Sequence, residues 1–365
     1  MTRIDLCGVR VDVETDHPDF ARYLAEQFPR DAATETNAPP DLSVRVRWTE
    51  GPAPELTPHA VFPGWPTETR VDRHIWIGPG RLLCLRVDDA PQIAIASDAS
   101  GAPRRLELRF HFTLGRRGWR ETLTRALRWR RLSWLRRHRL STLAYYAVYY
   151  PVWWHLEAQG AAHPLHAAGV AVDGRGLLLA GLPGCGKSTL ATSLLGTPGS
   201  ELLADNIMLH DASRIYGCFE PLLLDAETRA WLSVRLALTP VGRVHQYERE
   251  AFHAPHRVGG VPLGATVVLA RGRETRLVRL ASGECARVLL AINESAKEVR
   301  RYHILSAQLT LVERNALGYR EQRLAHLDRL LANVPCYWLE VREGAPAEAV
   351  AALRGLFTTA KEAAS

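Results

Sequence analysis

The sequence predicts an α/β protein in which a β-rich N-terminal region precedes a mixed core of strands and helices. Three observations carry this expectation. Residues 1–114 contain short stretches in which apolar and polar residues alternate, punctuated by Pro and Gly. Residues 161–345 contain short apolar runs, such as Leu177-Leu178-Leu179, that read as buried strands. That run leads through a glycine-rich stretch into a helical pattern at 189–195.

In chain order, Val9-Arg10-Val11-Asp12-Val13 and the stretch 42–48 alternate as half-buried strands do. Further strands are expected at 82–87, 92–96 and 106–112, and a helix at 19–28. Segment 115–160 changes character. Residues 120–140 lack Pro and Gly and read as a basic helix, with Leu123, Leu127, Trp134 and Leu135 near one face. From Arg116 to Arg139, ten arginines stand against a single acid, Glu121, while the whole chain carries only +7. Six aromatics then crowd into the ten residues 145–154. Two readings stay open. One is a helix docked on the core, its arginines snorkelling to water. The other is a surface for an acidic partner. Nucleic acid is disfavoured, because no recognised binding motif frames these aromatics. In the core, strands are expected at 167–172, 176–180, 202–204, 207–209, 265–269 and 334–341, and a terminal helix at 346–357. The organisation is thus a β-rich domain (1–114), a basic and aromatic helical connector (115–160), a core (161–345) and a C-terminal helix with its tail (346–365).

Composition excludes several classes. Hydrophobic content of 47% and charged content of 23% are ordinary for a soluble globular chain. The six cysteines are scattered without a C-x-x-C pair, which argues against a zinc ribbon or a disulfide framework and fits a reducing compartment. No apolar signal core follows the N-terminus, and the longest aromatic-apolar stretch, 143–154, is too short to span a bilayer. The expectation is a cytoplasmic protein with no membrane span, with room left for a homo-oligomer.

The strongest chemical signal is Gly181-Leu182-Pro183-Gly184-Cys185-Gly186-Lys187-Ser188. It fits the phosphate-binding loop pattern G-x-x-x-x-G-K-[ST]. Backbone N–H groups of Gly181, Gly184, Cys185, Gly186, Lys187, Ser188 and Thr189 would cradle phosphates, Lys187 would reach the terminal ones, and the Ser188 hydroxyl would meet Mg²⁺. Lys187 is one of only three lysines among 46 basic residues, so a compact ammonium is wanted there. ATP and Mg²⁺ are the expected cofactors. Phosphoryl transfer also needs a carboxylate near the metal and a group that handles the acceptor proton. Two features offer them. His166 precedes the loop by fifteen residues, on a strand that turns at Asp173-Gly174 into the loop's own strand. Asp205, followed by Asn206, ends the apolar run Leu202-Leu203-Ala204. Glu220 and Asp225 are the nearest further acids, and Arg271 and Arg273 are candidate phosphate clamps.

The ordered set Leu165-His166-Ala167-Ala168-Gly169-Val170, hairpin, glycine loop and Leu202-Leu203-Ala204-Asp205-Asn206 resembles the HPr kinase/phosphorylase superfamily. That family's P-loop fold is related to ATP-dependent phosphoenolpyruvate carboxykinase. The likeness covers about 60 residues well and 161–345 loosely. It implies a P-loop kinase core that phosphorylates a serine hydroxyl of a peptide or small protein. By position, Lys187 and Ser188 would hold phosphates and Mg²⁺, Asp205 would stand for the first of two adjacent aspartates, and His166 would lie near that carboxylate. Lys187, Asp205 and His166 are the catalytic set. Ser188, Asp205, Asn206 and Glu220 are the metal set. Asn206 departs from the family, since an amide can ligate a cation but cannot act as a base. The reverse phosphorylase reaction is therefore in doubt. Rival readings are a small-metabolite or carboxykinase-like enzyme, a nucleotide-gated regulatory module with little transfer, and an ATPase that engages nucleic acid through the arginine segment.

Overall fold

A computed structural model describes residues 1–28, 38–50, 55–66, 69–87, 90–112, 138–233, 236–241, 250–255, 259–313, 319–343 and 346–362. It is a mixed α/β protein, and its chain divides into two compact units: the first holds Met1–His155 and a later stretch that begins at Ile304, and the second holds most of the chain from Leu156 on. The arginine segment bounded by Arg116 and Arg139 lies outside the described residues as far as 137.

The first unit is built on one eight-stranded sheet. Its strands are β1 (Thr2–Leu6), β2 (Val9–Thr15), β3 (Leu42–Glu50), β4 (Thr69–Arg70), β5 (Ile75–Gly78), β6 (Arg81–Cys84), β7 (Ile93–Asp98) and β8 (Arg104–Phe112). The order across the sheet is β1-β2-β3-β8-β7-β6-β5-β4. Alternation sets the register. Val13, Val44 and Leu106 lie abreast on three parallel neighbours, and all are buried. The helix α1 (Pro18–Gln27) starts at His17, whose ring accepts from the N–H of Phe20, and it buries Phe20 and Leu24. A second, one-turn helix is α2 (Pro58–Val61).

The aromatic tract belongs to this unit, not to a separate connector. Tyr146, Tyr149, Tyr150, Trp153 and Trp154 are all buried, so these rings are core and are not free to stack bases. Residues 145–149 form a π-turn in which the N–H of Tyr150 reaches the carbonyl of Tyr145, and the helix α3 (Tyr150–Ala158) follows. Pro151 explains the widening. It has no N–H to give to the carbonyl four residues back, and its ring would press on that carbonyl in a regular helix.

The second unit is a three-layer arrangement. Its main sheet contains β9 (His163–Val172), β10 (Arg175–Ala180), β11 (Ser200–Ala204), β12 (Ile207–His210), β13 (Arg214–Gly217), β17 (Val261–Gly272), β18 (Arg276–Leu280) and β19 (Cys336–Arg342). A small sheet holds β14 (Leu222–Leu224), β15 (Thr239–Pro240) and β16 (Glu250–His253). At the centre, β10, β17 and β19 run parallel and are covered on both faces. On one face Leu177, Leu179, Val267 and Leu339 meet α4 (Lys187–Leu194) and α9 (Pro346–Glu362). On the other, Leu178, Ala180 and Val268 meet α6 (Ser282–Ser295) and α8 (Tyr319–Leu331). This unit also holds α5 (Ala226–Ser233) and the start of α7 (Lys297–Glu313), whose residues from Ile304 on belong to the first unit. Helices α6, α7 and α8 were not foreseen from the sequence.

A closed polar cluster lies in this unit. The fully buried carboxylate of Glu157 accepts from Arg323 Nε and Nη2 at 2.7 Å each, from the Tyr302 hydroxyl at 2.5 Å and from His163 Nδ1 at 2.9 Å. A carboxylate only accepts here, so the proton of His163 sits on Nδ1. Burial works against the Glu157 charge, but Arg323 and His163 outweigh it and hold its pKa down at about 2.

Candidate functional site

The phosphate-type loop forms where β10 passes into α4. Its strand is one arm of a hairpin: β9 and β10 pair from Val172–Arg175 to Ala167–Ala180, around a two-residue turn at Asp173 and Gly174, both with positive φ. That is the turn expected from Asp-Gly. Because Ala180 pairs with Ala167, Gly181 leaves the sheet beside His166.

Gly181 has φ 153°, and a Cβ there would come within 2.6 Å of Cys185 Sγ and 2.7 Å of the Leu269 carbonyl on β17. Only glycine lets the loop lie this close to the next strand. Gly184 (φ 83°) and Gly186 (φ 101°) turn the chain into α4 with open space where a side chain would project. The N–H of Cys185 bonds the Leu182 carbonyl at 3.2 Å, closing the loop on itself. Lys187 is buried, and its ammonium donates to the carbonyls of Gly181 at 2.8 Å and Leu182 at 3.3 Å. Burial pushes its pKa below the usual lysine range, against the opposing fields of Cys185, Asp205 and Glu298. Ser188 and Thr189 are exposed in the first turn of α4. Arg271, near the end of β17, donates from Nη2 at 2.9 Å and Nε at 3.2 Å to the Gly184 carbonyl.

Asp205 and Asn206 form the link between β11 and β12, two strands that both pair with β9. The N–H of Ala167 bonds the Asn206 carbonyl at 3.1 Å, and Ile207 stands opposite His166. His166 is therefore abreast of the Asp205-Asn206 link. Its ring is buried, and neither nitrogen has a hydrogen-bond partner among the described residues. Burial first, and the Lys187 charge second, push its pKa down to about 4. Near neutral pH the ring is uncharged, with one donor and one acceptor available.

Glu220 is brought to Asn206: the Asn206 amide donates from Nδ2 to Glu220 Oε2 at 3.1 Å. This uses one of the two N–H groups of the amide and leaves its oxygen as an acceptor. The approach depends on Gly217, where a Cβ would sit 2.1 Å from the Leu203 carbonyl. Glu220 also lines a small pocket with Ala204, Cys218, Phe219 and Ala254.

Asp225 is not part of this group. Its Oδ1 accepts from the N–H of Thr228 at 2.7 Å, so it caps α5. An Asp immediately before a helical pattern is the signal that would have assigned it. Glu298, in α7, was missed altogether, although its field reaches Lys187; nothing in local spacing links residues this far apart.

The residues suit a magnesium nucleotide. The open nest around Gly184 and Gly186 would face phosphate, and the donor set is oxygen-rich, as a hard cation requires. Among the described residues no three His, Cys, Asp or Glu gather to hold a metal by themselves. Mg²⁺ asks for less, because one or two protein ligands suffice when phosphates and water complete its shell. Among the described residues no helix is long and apolar enough to cross a membrane. No protein-family model matches the chain, and no match is found among curated proteins.

Proposed function

We propose that the chain is an ATP- and Mg²⁺-dependent serine kinase of the HPr-kinase-like type, phosphorylating a hydroxyl on a peptide or small protein. One observation carries this reading: the glycine loop leaves its strand beside His166 and the Asp205-Asn206 link. Bound ATP–Mg²⁺ supplies the transferable phosphoryl group and the charge that neutralises it. The chain supplies position and field. The loop N–H groups would hold phosphate oxygens, and Lys187, now bonded to the Gly181 and Leu182 carbonyls, would turn to the terminal phosphates. Ser188 and the oxygens of Asp205 and Asn206 would hold the cation, with Glu220 fixing the Asn206 amide. The Asp205 carboxylate takes the proton of the acceptor hydroxyl. His166, uncharged, offers a hydrogen bond without adding a like charge beside Lys187. Arg271 lies within reach of the same loop. The six cysteines are scattered along the chain without a C-x-x-C pair, in keeping with a cytoplasmic setting.

The test is transfer from γ-labelled ATP, with Mg²⁺, to serine-containing peptides and to small proteins, read by autoradiography and mass spectrometry. Phosphoserine that depends on Lys187 and Asp205 supports the proposal. Nucleotide bound with no transfer to any hydroxyl overturns it in favour of a nucleotide-gated regulatory module. The amide at Asn206, which lowers the carboxylate count of the site, is the observation that favours that second reading.

A further inference from the structure

The strand β9 has an unusual edge where the phosphate-type loop departs. Successive residues of a strand present their backbone groups to opposite edges. The hairpin closes at Val172–Arg175, so the even-numbered residues of β9 turn toward β10. Ala167, odd-numbered, donates the other way, to Asn206. Pairing with β10 stops at Ala167, because β10 ends at Ala180 and the chain enters the loop. Pro164 and His166 therefore face an edge from which their strand partner has turned away.

Asn293, near the end of α6, fills that edge. Its Oδ1 accepts from the N–H of His166 at 2.7 Å, and its Nδ2 donates to the carbonyl of Pro164 at 2.9 Å. Its side chain is buried at 1% exposure. The match is one of kind: Pro164 has no N–H to satisfy, its carbonyl and the His166 N–H stand two residues apart on this edge, and a primary amide has a donor side for the one and an acceptor side for the other. Asp would repel the Pro164 carbonyl, and an aliphatic side chain would leave both backbone groups buried and unpaired.

We infer that Asn293 is the positioning residue for His166, standing in for the missing strand so that the imidazole is held beside the Asp205-Asn206 link. The inference rests on the reading of this site as a phosphotransferase for its catalytic consequence, but not for its geometry. The His166 ring has no hydrogen bond of its own among the described residues, so its placement is inherited from its backbone. Asn293 sets that backbone from an element 127 residues away.

The experiment uses the full chain and two variants, Asn293→Leu and Asn293→Asp, in three arms. Amide hydrogen exchange, resolved by residue, is the first. In the wild type the His166 amide should be protected. In Asn293→Leu that protection should drop, while Ala168 and Val170, bonded to β10, keep theirs. Asn293→Asp, which retains an acceptor, should fall between. The second arm is the NMR signal of the His166 ring, which should move or broaden in Asn293→Leu. The third is the split between kcat and KM: kcat should fall about 100-fold, the order of loss that a small misplacement of a reacting group brings, with KM for ATP within about twofold. If Asn293→Leu does not fold, Asn293→Asp is read against the same three expectations. A His166 amide that exchanges freely in the wild type overturns the inference, as does a folded variant with unchanged His166 protection and ring signal. A wild-type chain that transfers no phosphate to any acceptor counts against the proposed function alone, because exchange and ring signal still decide where His166 is held.

Discussion

Two polar assemblies share the strand β9, and they are built on opposite principles. Around His163, at the start of the strand, the Glu157 carboxylate is saturated by four hydrogen bonds from Arg323, Tyr302 and His163. Around His166, three residues on, the ring nitrogens have no partner among the described residues, and Lys187 rests on carbonyls of its own loop. In the first assembly the carboxylate has no capacity left for a ligand, each of its oxygens already accepting two hydrogen bonds. The second holds a cation on replaceable acceptors, at the mouth of an open loop. A buried charge with every valence filled specifies structure, whereas groups held ready but unfilled are where chemistry can enter.

The comparison breaks most sharply at Lys187. Lys187→Ala should reduce phosphoryl transfer by about a thousandfold or more, the range seen when a cation facing a transferring phosphoryl group is lost. Stability should hardly fall, because the variant also removes a desolvated ammonium. Transfer kinetics set beside a thermal melt check both halves. Wild-type transfer in a folded Lys187→Ala protein would remove the loop from the mechanism.

Arg323→Met should do the reverse. It strands the Glu157 carboxylate in the core, at a cost of about 3–5 kcal/mol. Denaturant unfolding measures that loss. Pairing it with Glu157→Leu should return much of the stability, since an apolar pair needs no solvation. If Arg323→Met is as stable as the parent, the cluster is not the structural element described.

Acid should act on both assemblies, over windows set by the direction of each shift. His166 and His210 have folded pKa values of about 4 and about 3, below the ordinary histidine value of 6.5; burial is the first cause of each. The folded state thus binds fewer protons than the unfolded state between those limits. Their contribution is complete above pH 6.5 and is lost as pH falls toward 3, by an amount on the order of a few kcal/mol for each histidine. Glu157, at about 2 against 4.5, loses its contribution only below 4.5. Unfolding free energy measured from pH 7 to pH 3 should fall continuously, and a flat profile contradicts the buried neutral histidines.

Much of the candidate site was legible in the sequence, and the reasons are local. The glycine loop, the Asp-Gly turn and the run ending at Asp205 each lie within a few residues, where periodicity and turn chemistry speak directly. The α/β class and most strands of both units were read in the same way. What was not legible depends on distant partners. Asn293 reaches His166 across 127 residues, and Arg323 reaches Glu157 across 166. Helices α6 to α8 carry mixed faces without sharp stops, and the burial of the tyrosines and tryptophans of 145–154 agrees with the first of the two readings of that tract, a helix docked on the core. Asp225, named beside Glu220 only as a further nearby acid, serves α5 as a cap.

The smallest expected effect concerns Asn206, where the two assemblies come closest in principle. Its Nδ2 already satisfies Glu220 Oε2 at 3.1 Å. Placing a carboxylate there with Asn206→Asp alone would set two like charges at that separation, raise the pKa of one of them and undo the orientation of the pair. The single variant should therefore transfer phosphate no faster than the parent, and should need more Mg²⁺ to do so. In Asn206→Asp combined with Glu220→Gln the roles are exchanged, since the new amide donates to the new carboxylate and the charge moves next to Asp205. Transfer at limiting Mg²⁺ should then rise by about two- to tenfold, a step of 0.4–1.4 kcal/mol at most. Titrating activity against Mg²⁺ in the parent, the single and the double variant decides it. A single variant that outperforms the double would mean that Glu220 serves the site as a ligand in its own right and not as the partner that orients Asn206.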